Sequence, residues 1–350
     1  MPPANPAPSV ALAAKAPAFR RALLAWFDRS RRPLPWRTAP SAYRTAVSEL
    51  MLQQTQVATV LPYFERWVAR WPSFADLASA AETEVLAAWA GLGYYRRARL
   101  LHALAKAVAA RPEPPRLAAE WIELPGVGPY TAAAIASIAF GDRAAVVDGN
   151  VVRVIARLSG LRKPFATTAA AVRAVTPPAD ALLDPRRPGD HNQAMMELGA
   201  TVCRKAAPAC DACPVSRWCA SRGKAAGIPA FAPKARRRET VDRALAIRRG
   251  KVLLRRHPAD ATRLAGLAEL PTLESLGLRP GEPLAVRKRS ITTTTYDERL
   301  HRVPSGTRLP RARDLEWIPL ADLPFAAVAG PHLRWISELA KGGSGRRPGA

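Results

Sequence analysis

The chain has 350 residues, 48% of them apolar, and carries 53 Lys and Arg against 28 Asp and Glu for a formal net charge of +25. This length predicts about two domains with real cores and excludes a wholly disordered chain. The charge points to a polyanionic partner, nucleic acid first, no apolar run approaches the ~18 residues of a membrane span, and 34 prolines exclude a continuous coiled coil.

Residues 1–18 are rich in Pro and Ala, lack a basic start and are broken by proline, which predicts a disordered leader rather than a signal peptide. From Phe19 onward apolar residues recur at three- and four-residue spacing, with Pro and Gly every 10–20 residues. That pattern predicts a helical domain over 19–223. The first helix opens with Arg21 to Phe27. One or two more lie over Ser41 to Phe64, ending near Pro62. Others cover Ala80 to Trp89, Tyr95 to Ala110, Tyr130 to Phe140, Val151 to Leu158, Ala169 to Val175 and His191 to Val202. Residues 224–238 read as a basic, Pro- and Gly-bearing linker. Beyond it, Ala244 to Ile247 and Val252 to Arg255 flank Arg-Arg-Gly-Lys as a β-hairpin. Ser290 to Thr295 reads as a strand, Trp317 to Leu320 as another, and His332 to Leu339 as a closing helix. The second domain, 239–340, is therefore predicted as α+β, with a disordered tail over 341–350.

All four cysteines, Cys203, Cys210, Cys213 and Cys219, fall within 17 residues. A secreted disulfide fold would spread them out, so a cytoplasmic metal site fits better. Zinc and an iron–sulfur cluster both accept four thiolates; a single loop with only one CxxC pair suits a cubane cluster better than a zinc ribbon.

Leu124-Pro125-Gly126-Val127-Gly128-Pro129-Tyr130 reads as the turn of a helix–hairpin–helix. Gly126 and Gly128 permit positive φ and close backbone approach. The exposed amides and the following helix start form a phosphate seat that reads no sequence.

Two carboxylates stand out. Asp148 lies between valine pairs at a predicted helix entry, where an N-cap is the ordinary role for Asp. Glu49 sits in Val47-Ser48-Glu49-Leu50-Met51-Leu52, and its neighbours one helical turn away, Thr45, Ala46, Leu52 and Gln53, carry no balancing cation. Desolvation there would raise its pKa, as a general acid requires. Gln53, Gln54 and Gln56 beside it are amides able to hydrogen-bond bases without net charge.

Together, Leu34-Pro35-Trp36-Arg37, the Ser48 to Val57 run, Gly91 to Tyr95, the hairpin, Val147 to Val151, His191 to Gly199 and the cysteine spacing resemble the helix–hairpin–helix DNA glycosylases of the endonuclease III superfamily. Within them they resemble the adenine-specific MutY branch. The resemblance implies a mainly α, two-lobed glycosylase fold with a [4Fe–4S] loop over 203–219 held by the four cysteines, followed by a C-terminal α+β Nudix-like domain. It implies base-excision repair of double-stranded DNA bearing adenine opposite 8-oxoguanine or G, by a cytoplasmic, nucleoid-associated monomer. Glu49 would protonate adenine N7 and later place water, and Asp148 would stabilise the oxocarbenium-like sugar with Asn150 orienting it. Trp36, Arg37 and Tyr130 would line the flipped-base pocket, with Gln53 beside them and Gln193 as a further contact. Gln54 would be the wedge in the duplex and Tyr94 or Tyr95 the intercalating aromatic. Bifunctional relatives place a catalytic Lys where this chain has Tyr130, and no Lys occurs between Gly126 and Asp148. A monofunctional enzyme is implied. The family's 8-oxoguanine-reading triplet, aromatic-Ser-His, finds its nearest match in Ile291-Thr292-Thr293, and no Nudix hydrolase box is visible. Two other readings remain at this stage. One is a relative acting on thymine or uracil opposite G. The other is a non-catalytic DNA-binding protein, against which the presence of both Glu49 and Asp148 argues.

Overall fold

The structure is a computed structural model and describes residues 15–233, 237–258, 261, 264, 266–291, 294–324 and 326–341. The chain divides into two compact units, Met1–Ala232 and Pro233–Ala350.

Helices α1 (Ala16–Ser30), α2 (Pro35–Thr38), α3 (Ala42–Leu52), α4 (Val57–Arg70), α5 (Phe74–Ser79), α6 (Glu82–Trp89), α7 (Arg96–Ala109), α8 (Ala118–Trp121) and α9 (Pro129–Phe140) lead the first unit. They are followed by α10 (Gly149–Leu158), α11 (Thr168–Leu182) and α12 (Pro188–Thr201). Two cores organise them. One gathers α2 to α9 around Trp67, Trp89 and Trp121, all nearly inaccessible to solvent. The other is built by α1 returning across the chain: its Phe19, Leu23 and Phe27 pack with Val154, Ile155, Val175 and Leu198 of α10 to α12. Local chemistry starts several helices. Ser41, Ser73 and Thr167 cap α3, α5 and α11 by accepting a backbone N–H three residues on, worth about 1 kcal/mol each.

Pro62 does not end a helix. It lies inside α4, which continues to Arg70 because Val60, Phe64 and Trp67 bury one continuous face. Burial of three large side chains at ~1.5–3 kcal/mol each outweighs the ~3 kcal/mol helix penalty of proline. Pro177 and Pro178 likewise lie inside α11, beyond the predicted stop at Val175, where Pro178, Ala179 and Leu182 are buried. In the hairpin, only Gly126 needs to be glycine by conformation. Its φ is +75° and a Cβ there would lie 2.7 Å from Leu100 Cβ. The expectation of positive φ at Gly128 is corrected: it has φ −92°, caps α9 and faces open space.

The second unit contains β1 (Arg237–Leu245), β2 (Ile247–Arg248), β3 (Lys251–Arg256), β4 (Ala268–Glu269), β5 (Ala285–Ile291), β6 (Thr294–Arg302), β7 (Leu315–Pro319) and α13 (Gly330–Lys341). One sheet runs β1-β6-β5, with β1 parallel and β5 antiparallel to β6. The other places β3 against β2, β4 and β7. Ile247 opposite Val252 and Arg248 opposite Lys251 form the hairpin, but only Ile247 of the predicted arm lies in β2; Ala244 and Leu245 end β1 and pair with β6 instead. The run Ser290 to Thr295 is not one strand: Ser290 pairs with Thr295 and Ile291 with Thr294, so the chain reverses there. Its β-branched residues suit either strand, and periodicity over six residues could not reveal the reversal. Thr292 and Thr293 themselves lie outside the described residues. Among the described residues no helix is long and apolar enough to cross a membrane.

Candidate active site

A cavity of about 370 Å³ opens among α2, α3, the start of α9, the start of α10 and α12. This is within the range of small-molecule sites. It brings together Glu49, Tyr130, Asp148 and Asn150 with Trp36, Arg37, Gln53 and Gln193, residues drawn from five separate stretches of chain.

Glu49 lies one turn before the end of α3 and is 7% exposed. Burial pushes its carboxyl up to about 7; the Tyr130 hydroxyl, donating to Oε2, and the Arg37 charge pull the other way, while the Asp148 charge adds to the rise. Burial holds the Tyr130 hydroxyl well above its ordinary range, with the Glu49 charge adding to it, so Tyr130 stays an O–H donor across neutral pH.

Asp148 is the N-cap of α10, and its ordinary role and its place in the cavity coexist. Oδ1 accepts from Val151 N at 2.7 Å and Oδ2 from Asn150 Nδ2 at 2.7 Å. Burial raises its pKa, opposed by those hydrogen bonds and by the charge of Arg153. Asn150 is itself held: its Oδ1 accepts from Arg153 Nη2 at 2.9 Å, and the same guanidinium donates to Gly199 O at 2.7 Å and Cys203 O at 2.8 Å. Gly199 must be glycine for this packing, since a Cβ there would lie 2.5 Å from Asn150 Cβ.

Sequence reasoning passed over two charged residues of the cavity wall, Arg32 and Glu197. Glu197, 1% exposed, accepts from Arg32 Nε at 2.7 Å, Arg32 Nη2 at 2.8 Å and Arg37 Nη2 at 2.9 Å. The two guanidiniums hold its carboxyl below the usual range despite burial. Glu197 fixes Arg37 facing Glu49. The available signal was an acid four residues after Gln193 in a strongly basic chain.

Gln54, Tyr94, Tyr95, Gly126 and Gly128 do not line the cavity. Tyr94 and Tyr95 are 64% and 37% exposed, and Gly126 and Gly128 form the turn before α9.

Cys203, Cys210, Cys213 and Cys219 border a second cavity, between α10 and the loop after α12. Burial pushes the Cys213 thiol up to about 11 and raises Cys219, each increased further by the neighbouring cysteines. Arg157 reaches in from α10, donating to Cys203 Sγ at 3.3 Å, Arg204 O at 2.8 Å and Lys205 O at 2.9 Å. Among the described residues, no three His, Cys, Asp or Glu side chains are grouped to hold a single ion. Four sulfurs around one cavity are a soft donor set that fits a cationic group larger than a single ion, and the guanidinium hydrogen-bonded to one of them offsets the negative charge that four thiolates would bring.

Residues 47–176 match the model of the HhH-GPD superfamily of base excision DNA repair proteins. The human adenine DNA glycosylase is 48% identical over 220 residues, covering 60% of this chain and 40% of that protein. The chain thus spans about two-fifths of the length of that relative. The adenine DNA glycosylase of Mycolicibacterium smegmatis is 42% identical over 241 residues, covering 66% of this chain and 78% of that one. Among solved structures, a thermostable thymine-DNA glycosylase aligns with a TM-score of 0.53 at 28% identity, over 60% of this chain and 98% of its own. An endonuclease III–DNA complex, at 0.50 and 23% over 61% and 97%, shares the fold. With its helical unit, its carboxylate-lined cavity and a relative matched over more than three-quarters of its length, the chain belongs to the adenine DNA glycosylase family of the HhH-GPD superfamily.

Proposed function

We propose that the protein is a monofunctional DNA N-glycosylase that hydrolyses adenine from 8-oxoguanine or G mispairs in duplex DNA. The observation that carries this reading is the buried Glu49, with a pKa near neutrality and a Tyr130 hydroxyl on one oxygen, sharing a cavity with Asp148, the hydrogen-bonded N-cap of α10.

Cleaving an N-glycosidic bond needs a better leaving group on one side and negative charge on the other, the two-carboxylate logic of glycoside hydrolysis. The base must first leave the stack, which costs a few kcal/mol and less at a mismatch. With Oε2 taken by Tyr130, protonated Glu49 presents its other oxygen to adenine N7. Proton transfer neutralises the departing base, and the C1′–N9 bond breaks toward an oxocarbenium-like sugar. Asp148, whose ionised form is favoured against burial by the Val151 N–H, Asn150 and Arg153, stabilises that charge. The Glu49 carboxylate then takes a proton from the water that adds to C1′. Trp36, Arg37, Gln53 and Gln193 shape the base pocket, and Glu197 fixes Arg37. Tyr130 stands where an amine would be needed for a Schiff base, so the strand stays intact.

The four cysteines would hold a [4Fe–4S] cluster, which would clip the basic loop of Arg204, Lys205, Arg217 and Arg222 in place for the DNA backbone. The helical unit, which extends past the expected linker start to Ala232, forms the catalytic domain, and the unit that follows is a Nudix-like domain that inspects 8-oxoguanine through Thr292 and Thr293. Gly126 and Gly128 seat a phosphate, and the protein acts as a monomer. The likeness to a thymine-DNA glycosylase makes thymine opposite G the competing substrate. Single-turnover base release from an adenine:8-oxoguanine duplex, read with and without alkali and against a G·T duplex, tests the reading. Adenine-specific release with alkali-dependent breaks is expected; release of thymine instead, or breaks without alkali, refutes it.

A further inference from the structure

Arg97 occupies an unusual position at the start of α7. It is 7% exposed, and its side-chain hydrogen bonds go to backbone carbonyls and one hydroxyl. Nη1 donates to Leu50 O at 3.0 Å, Met51 O at 2.9 Å and Gln53 O. Nη2 donates to Thr55 Oγ1 at 3.2 Å, Leu92 O at 3.1 Å and Gly93 O at 3.2 Å. Leu50 and Met51 lie in the last turn of α3, the helix that carries Glu49, where orphan carbonyls favour a cation.

The two loops that meet on this guanidinium each contain a non-glycine residue in the left-handed region, Gln54 at φ 57° and Tyr94 at φ 48°. L-residues rarely adopt such conformations unless their surroundings hold them there. The surroundings are specific. Gly91 and Gly93 also have positive φ, Trp89 Nε1 donates to Gly93 O at 3.0 Å, and the Arg97 charge lies 5.5 Å from the centre of the Tyr94 ring. Tyr94 is nevertheless 64% exposed, and Gln54 is exposed too. Gln53 and Thr55, on either side of Gln54, line the cavity, so this loop stands beside the opening through which a base would enter.

We propose that Arg97 is a positioning residue for base extrusion: its fork of donors locks the Gln54 and Tyr94 loops together and to the end of the Glu49 helix, so that both side chains enter DNA as one unit. This rests on the base-excision reading. The four N–H donors of the two terminal guanidinium nitrogens lie in one plane with fixed directions and share these six acceptors, an arrangement a lysine ammonium cannot reproduce. Arg97→Lys therefore keeps the charge and removes the geometry.

The test uses the holoprotein and a duplex with 2-aminopurine beside an adenine opposite 8-oxoguanine, followed by stopped-flow fluorescence. Arg97→Lys is expected to slow extrusion about 10- to 100-fold, the scale of an ångström of misplacement. Binding to undamaged duplex should be unchanged at equal charge. In a Gln54→Ala, Tyr94→Ala background the same substitution should add less than about twofold, since coupled residues are not additive. Thr55→Val, a mild change that removes one acceptor from the loop, should slow extrusion about two- to tenfold and decides the matter if Arg97→Lys does not fold. Wild-type extrusion rates in both single variants, or an Arg97→Lys penalty of full size in the double-alanine background, overturn the proposal. A wild-type protein that neither extrudes nor releases adenine overturns the base-excision reading and this proposal with it.

Discussion

Under the proposed mechanism, Glu49 links stability and activity through one proton. Its folded-state pKa of about 7 against an ordinary 4.5 corresponds to about 3 kcal/mol at 1.36 kcal/mol per pH unit. The folded protein binds this proton more tightly than the unfolded chain, so stability falls as pH rises from 4.5 to 7 and the full difference is lost above 7. Gln cannot ionise. Glu49→Gln should therefore match wild type near pH 4.5 and exceed its stability by up to about 3 kcal/mol above pH 7. Activity runs the other way. The acid form is roughly 90% populated at pH 6 and 10% at pH 8 for a pKa of 7, so wild-type single-turnover release should fall about tenfold between them. Glu49→Gln should bind duplex yet lose more than the ~10²–10⁴-fold of a general acid, because protonation and water placement share one group. The assays are holoprotein melting at pH 5 and 8.5 and base release at pH 6, 7 and 8. A flat rate across this range, or a Glu49→Gln protein melting no higher than wild type at pH 8.5, refutes the reasoning.

Three further outcomes follow from the geometry. Gly199→Ala places a Cβ within 2.5 Å of Asn150 Cβ, so it should slow base release by about 10²-fold and lower the melting temperature. Glu197→Gln leaves Arg32 and Arg37 without their buried carboxylate and should destabilise the protein by about 3–5 kcal/mol in denaturant titrations. Cys213→Ser should remove the visible absorbance of the proposed cluster and lower the melting temperature while leaving the far-ultraviolet signature of α3 to α9 in place, because these helices pack in a core without cysteine.

Much of the site was legible because its residues carry local signals. Glu49 stood without a cation in sequence, Asp148 preceded a helix, and the cysteines were confined to one loop. Three-dimensional partners were not legible. Tyr130 reaches Glu49 across 81 residues of sequence and Arg32 reaches Glu197 across 165. Helix ends at Pro62 and Val175 misled because proline's local penalty is known from sequence, whereas the burial that overrides it is not. The strand reading of Ser290 to Thr295 failed for a related reason: β-branched residues suit a hairpin's two arms as well as one strand.

Sequence by itself therefore determined the helical unit, the cysteine loop and the basic charge, and it singled out Glu49 and Asp148 as candidate carboxylates, all of which rest on residues a few positions apart. Tertiary structure decided how Glu49 is desolvated, which side chains hold Arg37 and Asn150, and how Arg97 joins two loops to one helix. Desolvation and hydrogen bonding depend on what the rest of the chain brings within a few ångströms, and no short stretch of sequence specifies that.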